Sequence, residues 1–281
     1  MFYWILSAIL WAVWDILYKK SLKISEWKIS DKMYQFYWNI LLLIFLPLFY
    51  IFFDFENLTL YTFILIFITS ILSIVWELFE QYAYKNEKIS VLLPYWEFQS
   101  IFTILIWFFV FSDNSLISFI FASLAWITLI IGSINFKNFK FNKYCLSITI
   151  WALLWSIKYV LYWLLLIHIS EYSIMIFNTL IWAILLFVLV LKTEKINQYK
   201  KITKKITLFV FLENYTRLMV SLITLFLIKE LWLVQAVLIS MLYLVASLIL
   251  SSIFFKNLPS KKEIIIVVIV FLFISLWSVF W

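Results

Sequence analysis

Runs of apolar residues alternate with short polar connections along the whole chain. Each run is close to the ~20 residues that a helix needs to cross the ~30 Å hydrocarbon core of a bilayer. The runs are Phe2 to Tyr18, Met33 to Phe53, Leu60 to Tyr84, Ile89 to Phe111, Leu116 to Phe136, Tyr144 to Ile167, Tyr172 to Leu191, Ile206 to Ile228, Leu231 to Phe255 and Glu263 to Trp281. The pattern predicts an all-α, polytopic membrane protein with ten transmembrane helices. Phe2 to Tyr18 lacks the small-residue cleavage site that ends a signal peptide, so it is expected to be the first span, with no soluble domain appended.

Composition agrees. Hydrophobic residues make up 66% of the 281 and charged residues 13%, too little polar surface to coat a water-soluble globule. The expected location is the cell membrane, with the lipid bilayer as the chain's surroundings. Cys145 and His168 are the only residues of their types, which excludes an intrachain disulfide and leaves no cluster with metal-ligand spacing. No metal or other cofactor is expected, and the pattern is silent on oligomeric state.

The net charge of +7 would suggest nucleic acid in a soluble protein, but here it is distributed by loop. The lysines from 19 to 32, at 85 and 88, from 137 to 143, from 192 to 205 and from 256 to 262 follow the odd-numbered runs and make 19 of the 22 basic residues. The opposite connections carry Asp54, Glu56, Asp113 and Glu171, with Lys229 as their basic member. Lysines so placed orient a membrane protein, and the positive-inside rule puts both termini on the non-cytoplasmic side. No nucleic-acid partner is expected.

The runs also divide into halves. Leu6, Ser7, Trp11 and Ala12 recur 140 residues later as Leu146, Ser147, Trp151 and Ala152, each time in the first helix of a set of five. Because five is odd, the second copy enters the membrane from the opposite side. Residues 1–136 and 144–281 are therefore expected to form a 5+5 inverted repeat, an arrangement common among secondary transporters.

On these features the chain resembles the drug/metabolite transporter superfamily, EamA-like family, whose members carry ten helices in two such halves. The resemblance is clearest over Tyr82 to Ser133, YAYKNEKISVLLPYWEFQSIFTILIWFFVFSDNSLISFIFASLAWITLIIGS, which matches the end of the family's helix 3, its helix 4, a short turn and helix 5. A fainter version runs from Thr224 to Val279. The resemblance implies transport, by export or exchange, of amino-acid-like or cationic metabolites. In the family the termini are usually cytoplasmic, whereas the lysine distribution here predicts the reverse.

Glycine is the second departure. The chain has one Gly, at 132, against 16 Trp, although membrane helices normally use small residues to let backbones approach. Trp14, Trp107 and Trp126 fall where the resembling family tends to have Gly, and Trp155, Trp163, Trp277 and Trp281 lie throughout the spans instead of in interfacial belts. These positions are the expected result of a gene in which UGA means glycine but is read as tryptophan. Glycine would then number 17 of 281, close to its usual share of about 7%. No functional argument should lean on tryptophan.

Ionisable side chains inside a bilayer cost at least ~2.5 kcal/mol each, so they usually face a cavity and mark a pathway. The candidates are Asp15, Glu77, Glu80, Glu97, Lys158, Glu213 and Arg217. Ser73, Glu77, Glu80 and Tyr84 make one polar stripe at helical spacing, and Glu213, Arg217, Ser221 and Thr224 make another. Glu213 and Arg217 also suit an i,i+4 ion pair that neutralises itself. Glu97 follows Pro94, whose missing N–H frees a carbonyl and lets the helix bend beside the site. Lys158 needs a carboxylate partner or an anionic substrate. Tyr82, Tyr84 and Tyr95 are candidate pocket walls. Five acids against two bases predict a net negative cavity that favours a cation, a zwitterion or protons, with Glu97 and Glu77 as proton carriers.

No phosphate loop or nucleophile elbow occurs, so no catalytic residue is expected. The function that fits is a secondary active transporter of a small polar metabolite. The alternative is an integral-membrane enzyme acting on a lipid or isoprenoid substrate, which would need an Asp-rich or His-based motif in loops that are instead mainly lysine.

Overall fold

The computed structural model of the protein describes residues 2–25, 28–48, 58–87, 98–111, 143–193 and 196–230, with isolated positions at 92, 95, 96, 120, 123, 124, 127 and 128 and between 243 and 272. Every regular element among the described residues is helical: α1 (Phe2–Ser25), α2 (Asp31–Leu43), α3 (Leu60–Asn86), α4 (Phe98–Phe111), α5 (Lys143–Leu166), α6 (Glu171–Thr193) and α7 (Lys204–Glu230). Of these, α3, α5, α6 and α7 are long and apolar enough to cross a membrane. The expected spans Leu116 to Phe136, Leu231 to Phe255 and Glu263 to Trp281 lie largely outside the described residues.

Two boundaries differ from the hydropathy pattern for physical reasons. The first helix continues past Tyr18 to Ser25, because helical hydrogen bonding does not stop where apolar character does. Its last turns stay inside the bundle, with Ser21 and Ser25 buried. The second helix ends at Leu43, ahead of a 3₁₀ turn over Leu46–Leu48 that contains Pro47. Proline has no N–H to donate and its ring crowds the preceding turn. The start of α3 is fixed by a capping box in which Thr59 accepts from Thr62 N–H and Thr62 accepts from Thr59 N–H.

The helices are apolar outside and polar inside. On α3, Leu60, Phe63, Ile64, Phe67, Ile68 and Ile71 are exposed, while Thr69, Ser70, Ser73, Glu77, Glu80 and Gln81 on the opposite face are buried. On α7, Leu208, Phe211, Leu212 and Tyr215 face outward and Glu213, Asn214 and Arg217 inward. A water-soluble bundle would reverse this order. An apolar exterior around ionisable groups is what a bilayer demands.

The broadest helix contacts are α3 along α5 and α1 along α7, followed by α4 along α5 and α2 along α6. Contacts also place three of the lysine-rich connections, those after α1, α3 and α6, at one end of the described bundle. Lys19 Nζ donates to the Glu87 carbonyl, Lys85 pairs with Asp31, and Ser30 N–H donates to Gln198 at 2.9 Å. At the other end Lys229 pairs with Glu171 at 3.0 Å. The repeated motif is buried alike in both copies: Ser7, Trp11 and Ala12 on α1 and Ser147, Trp151 and Ala152 on α5 all face inward.

Candidate functional site

The interior has two layers. Toward the lysine-poor end, a cavity of about 40 Å³ lies between α1, α2, α5, α6 and α7. Toward the lysine-rich end, buried carboxylates and hydroxyls from α1, α2, α3 and α7 hydrogen-bond to one another.

Lys158 and Arg217 stand on the cavity wall. Lys158 Nζ donates to Ser73 Oγ at 2.6 Å and lies 5.0 Å from the Tyr162 ring and 4.9 Å from the Trp155 ring. Ser73 can accept because its own hydroxyl donates to the Thr69 carbonyl at 2.8 Å. Arg217 Nη1 sits 3.1 Å from Glu77 Oε2 and 3.4 Å from Oε1, an ion pair with both partners buried. Its guanidinium also lies over the Trp38 ring at 4.4 Å. Asn178, on the same wall, accepts from Ser70 Oγ at 2.8 Å and donates to Tyr162 Oη at 3.1 Å, so its amide is held in one orientation.

The second layer is built from carboxylates that accept from hydroxyls. Asp15 accepts from Tyr84 at 2.8 Å, from Ser247 at 3.1 Å and from Tyr243. Glu213 Oε2 accepts from Ser21 at 2.6 Å and from Tyr34 at 2.7 Å. Glu77 accepts from Tyr18 at 3.2 Å as well as from Arg217. Glu80 is fully buried, and neither of its oxygens has a hydrogen-bond partner among the described residues. Charge-assisted bonds of this kind are about twice as strong as neutral ones, so they tie α1 to α2, α3 and α7 at this end.

The structure thus brings Asp15, Glu77, Glu80, Tyr84, Lys158, Glu213 and Arg217 into one interior, as their depth in the chain predicts. It corrects three expectations. Arg217 pairs across the bundle with Glu77 and not with Glu213, whose Oε2 accepts from the hydroxyls of Tyr34 and Ser21 and whose Oε1 has no hydrogen-bond partner among the described residues. The described cavity wall carries two cations and no acid, in place of the expected net negative wall, because the described carboxylates of the interior lie off it. Tyr84 serves Asp15 rather than the cavity, Tyr82 is exposed against Tyr144, and Tyr95 is half-buried and stacked on Phe98. Glu97 and Pro94 lie outside the described residues.

Sequence reading missed Tyr18, Ser21, Tyr34 and Asn178. A signal existed for two of them, since Tyr18, Ser21 and Ser25 recur at three and four residues on one face of α1. Asn178 is a single amide in an apolar run, and Tyr34 adjoins a charged connection, so neither stands out.

Tryptophans crowd the same region. Trp96 and Trp151 have ring centres 4.1 Å apart, Trp76 and Trp155 4.5 Å, and Trp11 and Trp14 5.4 Å. The indole N–H groups of Trp14, Trp38, Trp76, Trp96, Trp151 and Trp182 are buried with no hydrogen-bond partner among the described residues. Buried indoles usually find one.

No family model matches the chain, and no curated protein matches it in sequence. Solved structures do share its fold, and 28 such chains match. One, described as "Crystal structure of protein", covers 99% of this chain and 96% of its own with a TM-score of 0.67 at 13% identity. At that identity the likeness concerns the fold alone.

Proposed function

We propose that the chain is a secondary transporter of the EamA-like kind. In this reading ten helices form two inverted sets, residues 1–136 and 144–281, and rock about the central site to move a small polar metabolite across the cell membrane. The observation that carries the reading is the two-layer interior. A cavity walled mainly by aromatic and apolar side chains, with Lys158, Asn178 and Arg217 among its few polar groups, is contacted by helices of both halves toward one end, and a hydrogen-bonded carboxylate network lies toward the other, an arrangement that suits one access state of an alternating cycle.

Helix packing supports the inverted repeat. In a pseudo-twofold arrangement the first helix of each half exchanges with the first of the other, and the third with the third. The pairs α1 with α7 and α3 with α5 are then equivalent, and these are the two broadest contacts among the described residues. The pair α2 with α6 maps onto itself.

Lysine placement supports a cytoplasmic location for the end that holds the carboxylate network, with the termini outside. Glu80 is the candidate for proton coupling. An isolated buried carboxylate charge is costly, and a proton is the smallest partner that relieves it. Purified protein in proteoliposomes is expected to show solute counterflow above protein-free vesicles, and Glu80→Gln is expected to abolish its dependence on a pH gradient. Gradient-dependent flux that is unchanged in Glu80→Gln would remove Glu80 from the mechanism.

A further inference from the structure

The two cations on the cavity wall differ in how they are compensated. Arg217 has Glu77 behind it at 3.1 Å. Lys158 is 3% exposed, yet its ammonium meets only the neutral Ser73 hydroxyl and aromatic faces, and no described carboxylate pairs with it. Counting Arg217 with Glu77 as neutral leaves Lys158 as the wall's cation without an ion-pair partner among the described residues, with Glu80 acting on it from longer range behind the wall. Burying an ammonium without a counter-charge is costly, and an anion bound beside it would offset that cost.

From this we infer that Lys158 and Arg217 form the binding site for the carboxylate group of a small monoanionic molecule. The assignment deepens the transporter reading and takes from it that the cavity is where the substrate rests. Charge favours one negative unit, because a dianion would exceed what Lys158 leaves uncompensated. Geometry favours a carboxylate, because a planar two-oxygen group matches the fork of a guanidinium, and Arg217 uses only Nη1 on Glu77.

Size agrees. A water needs roughly 10–15 Å³ of such space, so 40 Å³ holds about three waters or one anion of acetate size. A substrate amine finds no acid on the described wall, which sets this site apart from one for cationic or amino-acid-like molecules. Hydroxyls of Ser221 and Thr224 offer further polar contact. Trp11, Trp38, Trp155 and Trp182 also wall the cavity, so its volume belongs to the sequence with tryptophan at those positions, whereas the polar groups of Lys158, Arg217, Ser221 and Thr224 do not require them.

The test uses the full chain in nanodiscs of zwitterionic lipid, titrated by calorimetry with acetate, glycine, methylammonium and chloride. Acetate is expected to bind saturably, glycine and chloride about tenfold more weakly or less, and methylammonium not at all. Lys158→Met is expected to weaken acetate binding by on the order of tenfold or more, and Lys158→Arg, which keeps the charge and guards against loss of folding, to retain it. Absence of acetate binding, preference for glycine, chloride or methylammonium, or equal acetate affinity in Lys158→Met overturns the assignment. Counterflow of the same solutes separates the two claims. Acetate binding without flux leaves the site and removes transport, and flux of methylammonium without acetate binding does the reverse.

Discussion

Arg217 on α7 reaches Glu77 on α3 at 3.1 Å, across the bundle and 140 residues away in sequence, although Glu213 lies one helical turn before it on its own helix. Glu77 faces the guanidinium and receives one hydroxyl, from Tyr18, whereas two hydroxyls meet Oε2 of Glu213 and its Oε1 has no partner among the described residues.

Removing one partner of this pair leaves a buried charge alone. Glu77→Gln is expected to destabilise the protein by about 3–5 kcal/mol, and the double replacement Glu77→Leu with Arg217→Met by much less, because an apolar pair of similar volume is often neutral. Thermal unfolding of the purified variants in detergent measures both. A double variant as unstable as Glu77→Gln alone would show that the pair is worth more than its desolvation costs.

The hydroxyls on the carboxylates give a smaller effect. Tyr84→Phe removes one hydrogen bond to Asp15, with an expected loss of about 1.5–3 kcal/mol, and Tyr34→Phe removes one to Glu213 with a similar loss. If Tyr84→Phe and Tyr34→Phe unfold at the temperature of the unaltered protein, the network at this end is not holding the helices together.

Helical spacing made part of this interior legible. Ser73, Glu77, Glu80 and Tyr84 read as one face of a helix, and all four are buried on that face of α3. The partners were not legible. That Ser73 meets Lys158, Tyr84 meets Asp15 and Glu77 meets Arg217 depends on how α1, α5 and α7 pack against α3, and local spacing carries no information about that. Which charges stand on the described cavity wall was not legible for the same reason: counting acids and bases by depth cannot tell which of them faces the cavity and which lies behind it. The four long apolar helices α3, α5, α6 and α7 were legible because hydrophobic thickness sets helix length directly. The two shifted boundaries, at Ser25 and Leu43, belong to backbone rules that hydropathy does not see.

The tryptophans carry an expectation of their own. Six buried indole N–H groups lack partners among the described residues, and indole rings pack against one another where helices cross, at Trp11, Trp76, Trp96, Trp151 and Trp155. Small residues are what such crossings use. The natural gene is expected to carry UGA at these positions and its host to insert glycine there. Codon sequencing with mass spectrometry of peptides from native cells decides it. UGG codons, or tryptophan in the native peptides, would end the idea.

The proposed sidedness, with the lysine-rich end in the cytoplasm, is open to direct labelling. A cysteine placed at Lys200, in a chain whose buried Cys145 is replaced by Ser, is expected to resist membrane-impermeant thiol reagents in intact cells and to react after lysis. Labelling before lysis would turn the molecule over and place its termini in the cytoplasm.

Solute counterflow tests the account's central claim most directly. Proteoliposomes loaded with unlabelled acetate and diluted into labelled acetate should accumulate label transiently, above protein-free vesicles, and Lys158→Met should remove that overshoot. A chain that exchanges neither acetate, glycine nor methylammonium above the protein-free control would contradict the transporter reading.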